Sequence, residues 1–110
     1  MKLSEKKCEA CETGTPPLVM KEVMEYLNQI PEWVIENNGK QIEKDFSFVD
    51  FKESVDFINK IAKLAEDEGH HPDINLHDYK HVKITLTTHA IKGLSENDFI
   101  MAAKIDELIK

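Results

Sequence analysis

The sequence has no long hydrophobic run and no cluster of positive charge. No apolar stretch approaches the roughly 20 residues that a membrane-spanning helix needs, and the first residues, MKLSEKKCEACETG, lack the apolar core of a secretory signal. We therefore expect a cytoplasmic protein that makes no membrane contact. The chain has 14 lysine and arginine residues against 21 acidic residues, a formal net charge of −7. Because phosphate binding relies on clustered positive side chains, direct nucleic-acid binding is disfavoured.

Cysteine is scarce, since Cys8 and Cys11 are the only two, and they form a C-x-x-C motif. A structural zinc site needs four ligands, and a redox motif normally lies in a βαβ unit, so this pair alone indicates neither. We predict a reduced, non-catalytic segment. Residues 1–17 are polar and end in two prolines, which predicts a flexible N-terminal arm ahead of a single domain at 18–110.

The remaining composition is that of a small globular domain. A chain of 110 residues with 41% hydrophobic residues forms one modest core, so oligomerisation is a reasonable expectation. Helical spacing of apolar residues from Leu18 predicts a first helix, which Pro31 ends. Two extended runs then flank Asn38-Gly39, a strong hairpin signal. On the second run Ile42 and Phe46 point to one side, as in a half-buried strand.

A second helix is predicted from Asp50, with Glu53 as the capping-box acid and Gly69 as the C-terminal stop. It carries two adjacent apolar stripes. The first stripe comprises Phe51, Val55, Ile58, Ala62 and Ala65, and the second comprises Phe57, Ile61 and Leu64. Two more strands are expected around a turn near residues 78–80, with Ile84 and Leu86 towards the core.

The last helix is predicted from Ser95, with Asp98 as its capping acid. Between Phe99 and Ile109 it is apolar over more than one face, so it needs a second surface to pack on. We therefore predict a homodimer or homotetramer that associates through this C-terminal helix. The expected fold class is α+β, in the order α-β-β-α-β-β-α, with helices packed on one face of a four-stranded antiparallel sheet.

All five histidines lie between Glu68 and His89. His70 and His71 directly follow the second helix, whose negative dipole end favours a protonated imidazole by a few tenths to about 1 kcal/mol. Pro72 favours an extended His71, and adjacent extended residues point to opposite sides, so the two histidines should have different roles. If the last strand ends beside this helix, His89 joins them, and three imidazoles suit proton transfer near neutral pH.

Simpler interpretations exist for several of these residues. His77 and His81 flank the predicted turn on the polar side and are most simply solvated side chains. Asp98 is most simply a capping acid, and Tyr79 a half-buried turn aromatic.

Together, HHPD at 70–73, Tyr79, ITLTTH at 84–89 and GLSEND at 93–98 resemble the pterin-4a-carbinolamine dehydratases. The resemblance continues through Trp33, FSFVDF at 46–51 and DFIMAAKIDEL at 98–108, and covers roughly residues 15–110. One departure is an extra residue between Pro72 and Tyr79, which can form a bulge or lengthen the turn there.

The resemblance implies dehydration of a 4a-hydroxytetrahydropterin to quinonoid dihydropterin in tetrahydrobiopterin recycling, with no metal or redox cofactor. It implies that His70, His71 and His89 carry proton transfer. The implied substrate-binding residues are Asp98, Pro72, Tyr79, Glu66 and Thr88. A carboxylate near His89 would hold its tautomer, and Asp98 is the candidate. Which histidine is the acid and which is the base stays open.

Two other interpretations stay open. The histidines, with Cys8 and Cys11, could form a metal-binding module, although H-H-P lacks the spacing of zinc motifs. The apolar last helix could instead serve a non-enzymatic dimerisation or coactivator module, a role that one member of the resembled family also has.

Overall fold

The computed structural model describes residues 2–9 and 16–109. Within these residues the helices and strands are α1 (Met20–Leu27), β1 (Val34–Glu36), β2 (Gln41–Ser47), α2 (Phe51–Glu68), β3 (Asp73–His77), β4 (His81–Leu86) and α3 (Glu96–Glu107). Two 3-10 turns, Leu3–Glu5 and His89–Ile91, lie outside them. The predicted order α-β-β-α-β-β-α is therefore confirmed. No helix in this part of the chain combines the length and apolar character needed to cross a bilayer.

The four strands form one antiparallel sheet in the spatial order β1-β2-β4-β3. Asn38 and Gly39 take positive φ angles in the first hairpin turn, as the Asn-Gly signal predicts. In the centre of the sheet Ile42 lies opposite Leu86, and both are fully buried. The alternation of apolar and polar residues thus places the core on the predicted side of β2 and β4.

Helix α2 has both predicted ends. The Asp50 side chain accepts a hydrogen bond from the Glu53 N–H at 2.8 Å, and Gly69 ends the helix at φ +67°. The buried stripe is Ser54, Phe57, Ile61 and Ala65. Apart from Ala65, the first predicted stripe lies outside it, with Phe51 54% exposed. Its apolar residues therefore flank the core, and most of them are left partly in contact with solvent.

The expected flexible arm at 1–17 is wrong over residues 2–9. Leu3 is only 3% exposed and belongs to the hydrophobic core, and the turn that contains it packs against α3. The Lys6 ammonium lies 2.7 Å from a carboxylate oxygen of Glu96. A buried leucine and a charged contact therefore help to hold this polar segment on the domain. Residues 10–15, with Cys11, lie outside the described residues. That the C-x-x-C pair is reduced and non-catalytic therefore stays a prediction.

The predicted intersubunit role of α3 loses its basis. Ile100, Met101 and Ile105 are at most 1% exposed within the single chain. The N-terminal turn, α1, α2 and β4 all contact this helix, and the Tyr26 ring stacks on Phe99 at 5.1 Å between centroids. The second surface that an all-round apolar helix needs is therefore supplied by the chain itself. A homodimer or homotetramer stays a prediction that rests on other surfaces.

Candidate active site

One open cleft collects the residues that the histidine pattern singled out. It has a volume of about 280 Å³. Its lining residues are Glu9, Gly69, His70, His71, Thr87, Thr88, His89, Ala90 and Asn97. His70 and His71 follow the end of α2, while His89 begins the 3-10 turn after β4. We call His70, His71 and His89 the cleft histidines.

His70 is fixed by a buried carboxylate. Its Nε2 lies 2.7 Å from Oδ1 of Asp98, which is fully buried. The other carboxylate oxygen accepts from the Thr88 hydroxyl at 2.8 Å and from the Ser95 N–H at 3.0 Å. An ionised carboxylate only accepts hydrogen bonds, so this contact places the proton of the neutral ring on Nε2.

The predicted pairing of Asp98 with His89 is therefore wrong, because Asp98 contacts His70 instead. The sequence left the angle between α2 and α3 undetermined, and that angle decides which imidazole the first turn of α3 reaches. Both interpretations of Asp98 hold at once. It caps α3 through the Ser95 N–H and it orients a cleft histidine.

His71 contacts a different partner, as expected when adjacent residues of an extended segment point to opposite sides. Its Nε2 lies 2.5 Å from a carboxylate oxygen of Glu66, and both side chains are exposed, at 61% and 76%. The His70 side chain is only 12% exposed. One imidazole is thus locked against the protein, whereas its neighbour stands at the open side of the cleft.

His89 does not lie on the strand where it was expected. β4 ends at Leu86, and Thr88 pairs with Gly93 across a short loop, with the Thr88 N–H donating to the Gly93 carbonyl at 2.9 Å. A Cβ on Gly93 would lie 2.6 Å from the Pro17 side chain, so the close packing requires glycine there. This loop brings His89 to the cleft that the end of α2 also lines.

Of the five predicted substrate-binding residues, Thr88 lines the cleft, whereas Asp98, Glu66, Pro72 and Tyr79 are not among its lining residues. Tyr79 sits in the β3–β4 turn with φ +55° and is 59% exposed. The register pairs Asp73 with Thr85 and His77 with His81, so four residue steps, or about 14 Å, separate the histidine end of β3 from its turn. The assignment of Tyr79 is wrong for a site built from this chain alone. Pro72 is half-buried between His71 and β3.

The other two histidines lie at that same distant end, and we call His77 and His81 the hairpin histidines. Nε2 of His77 is 2.8 Å from Asp45, and Nδ1 is 3.2 Å from Asp78. The hydrogen bond to Asp45, followed by that to Asp78, raises the pKa of His77 above its ordinary value. The two imidazole rings stack with centroids 5.3 Å apart. They lie away from the cleft, and that they take no part in turnover stays a prediction.

Glu9 and Asn97 line the cleft without having been predicted. Asn97 directly precedes Asp98 in the GLSEND stretch, so the sequence could have indicated that Asn97 lies near the cleft. No local signal in the sequence marked Glu9 as a cleft residue.

The residues near the cleft include one cysteine. Burial raises the pKa of the Cys8 thiol to about 12, with a further contribution from Glu68. Across residues 2–9 and 16–109, no group of three or more His, Cys, Asp or Glu side chains is arranged to hold a metal ion.

Comparisons with known proteins find a matching family model and similar sequences. The family model for pterin 4 alpha carbinolamine dehydratase matches residues 16–108. A candidate pterin-4-alpha-carbinolamine dehydratase of Alkaliphilus metalliredigens is 50% identical over 96% of this chain and 94% of its own length. Another, from an Azoarcus species, is 46% identical over 96% of this chain and 90% of its own.

Solved structures show the same fold. A transcriptional coactivator/pterin dehydratase from Brucella melitensis superposes with a TM-score of 0.79 at 31% identity, covering 86% of this chain and 99% of that one. A pterin dehydratase-like protein described as a RuBisCO assembly factor in the alpha-carboxysome superposes with a TM-score of 0.60 at 28% identity, covering 70% and 88%.

Proposed function

Since this chain belongs to the pterin 4 alpha carbinolamine dehydratase family, we propose that it removes water from a 4a-hydroxytetrahydropterin. The product is the quinonoid dihydropterin, so the reaction would serve the recycling of tetrahydrobiopterin. The observation that carries the proposal is the convergence of the three cleft histidines on one cleft, with Asp98 holding His70 from behind.

The reaction needs two proton transfers. An acid protonates the 4a-hydroxyl group, and the C4a–O bond breaks to release water while the N5 lone pair forms the N5=C4a double bond. A base then takes the N5 proton. The acid loses one proton and the base gains one, so a pair of imidazoles can carry the whole cycle near neutral pH.

The three imidazoles have different surroundings, which suits a division of labour. Asp98 holds the ring of His70 in one orientation, and Glu66 contacts His71 at the solvent side. His89 lines the same cleft from the turn that follows β4. A substrate in this cleft meets imidazoles from two separate segments of the chain, which suits a reaction that protonates the 4a-hydroxyl group and deprotonates N5.

The remaining predicted site residues act through these histidines. Thr88 donates to Asp98 at 2.8 Å and contacts the Ser95 hydroxyl at 2.7 Å, so it helps to fix the carboxylate. Glu66 reaches the cleft through His71 rather than lining it. We therefore assign Thr88, Asp98 and Glu66 to the positioning of the catalytic imidazoles.

The decisive test is turnover of a chemically generated 4a-hydroxytetrahydropterin by the purified, untagged chain. We expect a rate well above that of spontaneous dehydration, with the quinonoid product seen by absorbance. A folded wild-type protein that leaves the spontaneous rate unchanged would refute the proposal. If that protein still bound a pterin, a non-enzymatic interaction module would be favoured instead.

A further inference from the structure

The N-terminal residues 2–9, which we call the strap, are fastened across the molecule to the two helices that carry the site. Leu3 anchors one end in the core, and Lys6 pairs with Glu96 at the start of α3. Further along, the Cys8 N–H donates at 2.8 Å to Glu68, the residue that precedes Gly69 at the end of α2. The strap thus spans the junction of α2 and α3.

The Glu68 carboxylate, which accepts the hydrogen bond from Cys8, helps to hold the strap in place. Its side chain is 5% exposed and also meets the Lys104 ammonium at 3.2 Å. Burial by itself would raise the pKa of Glu68, but the hydrogen bonds from Cys8 and Lys104 lower it below the ordinary value. The strap is therefore hydrogen-bonded to a charged residue, Glu68, that lies two residues before His70. This contact favours a fixed position of the strap beside the cleft.

The last contact of the strap lies in the cleft itself. The Glu9 N–H donates to Oδ1 of Asn97 at 3.0 Å, and Nδ2 of Asn97 donates back to the Glu9 carbonyl. One amide side chain therefore satisfies both backbone groups of Glu9. Asn97 is 8% exposed and directly precedes Asp98 in α3. This two-point contact fixes the Glu9 backbone close to the carboxylate that orients His70.

Glu9 brings a chemical group that the rest of the cleft lacks. Among the described residues that line it, Glu9 is the one with a carboxylate, and Glu9 is exposed. A pterin carries two parallel donors on its pyrimidinone edge, the ring N3–H and the 2-amino group. A carboxylate accepts two parallel N–H groups in the same bidentate geometry by which it binds a guanidinium.

We propose that Glu9 is a substrate-binding residue that recognises the 2-amino-4-oxo edge of the pterin, and that Asn97 is the positioning residue that holds it. This inference rests on the proposed dehydratase function. Glu9 lies on the strap, a different segment from those that carry the cleft histidines, and acts on substrate affinity rather than on proton transfer.

The experiment compares the ligands pterin and lumazine on the full chain. Lumazine has a 2-oxo group in place of the 2-amino group, so it offers an acceptor where a carboxylate needs a donor. The wild type should bind pterin more tightly, as measured by ligand fluorescence. In Glu9→Gln that preference should fall about tenfold to a hundredfold, the range for a hydrogen bond to a charged group. KM for the 4a-hydroxypterin should rise in step, with kcat little changed.

Two further variants sharpen the test. Glu5→Gln is the matched control, since Glu5 lies on the same strap but its carboxylate accepts from the Lys2 N–H outside the cleft; it should keep the wild-type preference. Asn97→Ala should weaken pterin binding like Glu9→Gln, and the double variant should be no weaker than Asn97→Ala alone, because both changes remove one contact.

The outcomes separate this inference from the proposed function. A wild type that turns over substrate, together with a folded Glu9→Gln variant of unchanged preference, overturns the role of Glu9 alone. A fall in kcat with KM constant overturns it as well, because recognition would then not be the function of Glu9. A wild type without turnover refutes the dehydratase proposal itself, whatever the variants bind.

Discussion

Replacing Asp98 with asparagine tests whether the orientation of His70 matters to turnover. The Ser95 N–H and the Thr88 hydroxyl both donate to one carboxylate oxygen, so the amide oxygen of the variant should stay there. The amide nitrogen then faces Nε2 of His70. Two donors would meet, and the imidazole must move its proton to Nδ1 or leave its position.

The structure sets the size of the expected effect. Asp98 is fully buried and accepts three hydrogen bonds, and losing one hydrogen bond to a charged acceptor costs about 1.5–3 kcal/mol of unfolding free energy. A misplaced general acid or base costs about 10²–10⁴-fold in rate. We therefore expect Asp98→Asn to fold, with reduced stability, and to lose at least about 10²-fold in kcat.

The assay pairs turnover with chemical denaturation, using Asp106→Asn as the matched control. Asp106 lies on the same helix and accepts from Nε1 of Trp33 at 3.1 Å and from Lys44 at 2.9 Å, outside the cleft. The control should lose stability but keep kcat. A folded Asp98→Asn variant with kcat close to the wild-type value would refute the reasoning, because His70 would then not need its carboxylate.

Four other predictions follow from the same geometry. Alanine at each cleft histidine should cost about 10²–10⁴-fold in kcat, whereas alanine at either hairpin histidine should leave it close to wild type; an equal loss at both sets would show that the pocket is misplaced. His77→Gln should lower the unfolding free energy more at about pH 5.5 than at about pH 9, because a raised histidine pKa stabilises the fold below the ordinary pKa and this is lost as pH rises through the raised value. An equal difference at both pH values would contradict that contact. Ile105→Lys should unfold the chain, since Ile105 is fully buried, whereas Phe51→Glu, at an exposed apolar position, should keep the fold and lower the sedimentation mass of any oligomer; a monomeric wild type at micromolar concentration would rule out self-association. Turnover should survive exhaustive chelation, and tightly bound zinc or iron lost together with activity would contradict a metal-free site.

Local signals in the sequence were enough to predict most of the fold. Asp50 and Gly69 mark the ends of α2 through contacts that span only a few residues. The Asn38-Gly39 turn and the alternation along β2 and β4 depend only on backbone conformation and on a period of two. Each of these features is determined by neighbours in the chain, which is why the element order could be predicted.

The errors concern contacts between distant segments. Leu3 is one apolar residue in a polar stretch and has no periodicity, so nothing local indicated that it joins the core. The partner of Asp98 depends on how α3 meets the end of α2. Tyr79 was assigned by resemblance, yet the β3–β4 register carries it to the far end of the hairpin. Packing angles and registers of this kind are set by the whole core.

Two residues of the candidate site also lie at helix ends. His70 follows the C-terminal stop of α2, and Asp98 caps the first turn of α3, so their contact joins two helix ends as well as orienting an imidazole. The helix dipole favours this arrangement, since a carboxylate is stabilised at a helix N-terminus. We therefore expect a change at either residue to alter stability and turnover together. Because Asn97 and Glu68 tie the strap to these same two helix ends, a loss of activity there identifies a functional group only when KM, kcat and unfolding free energy are measured on the same variant.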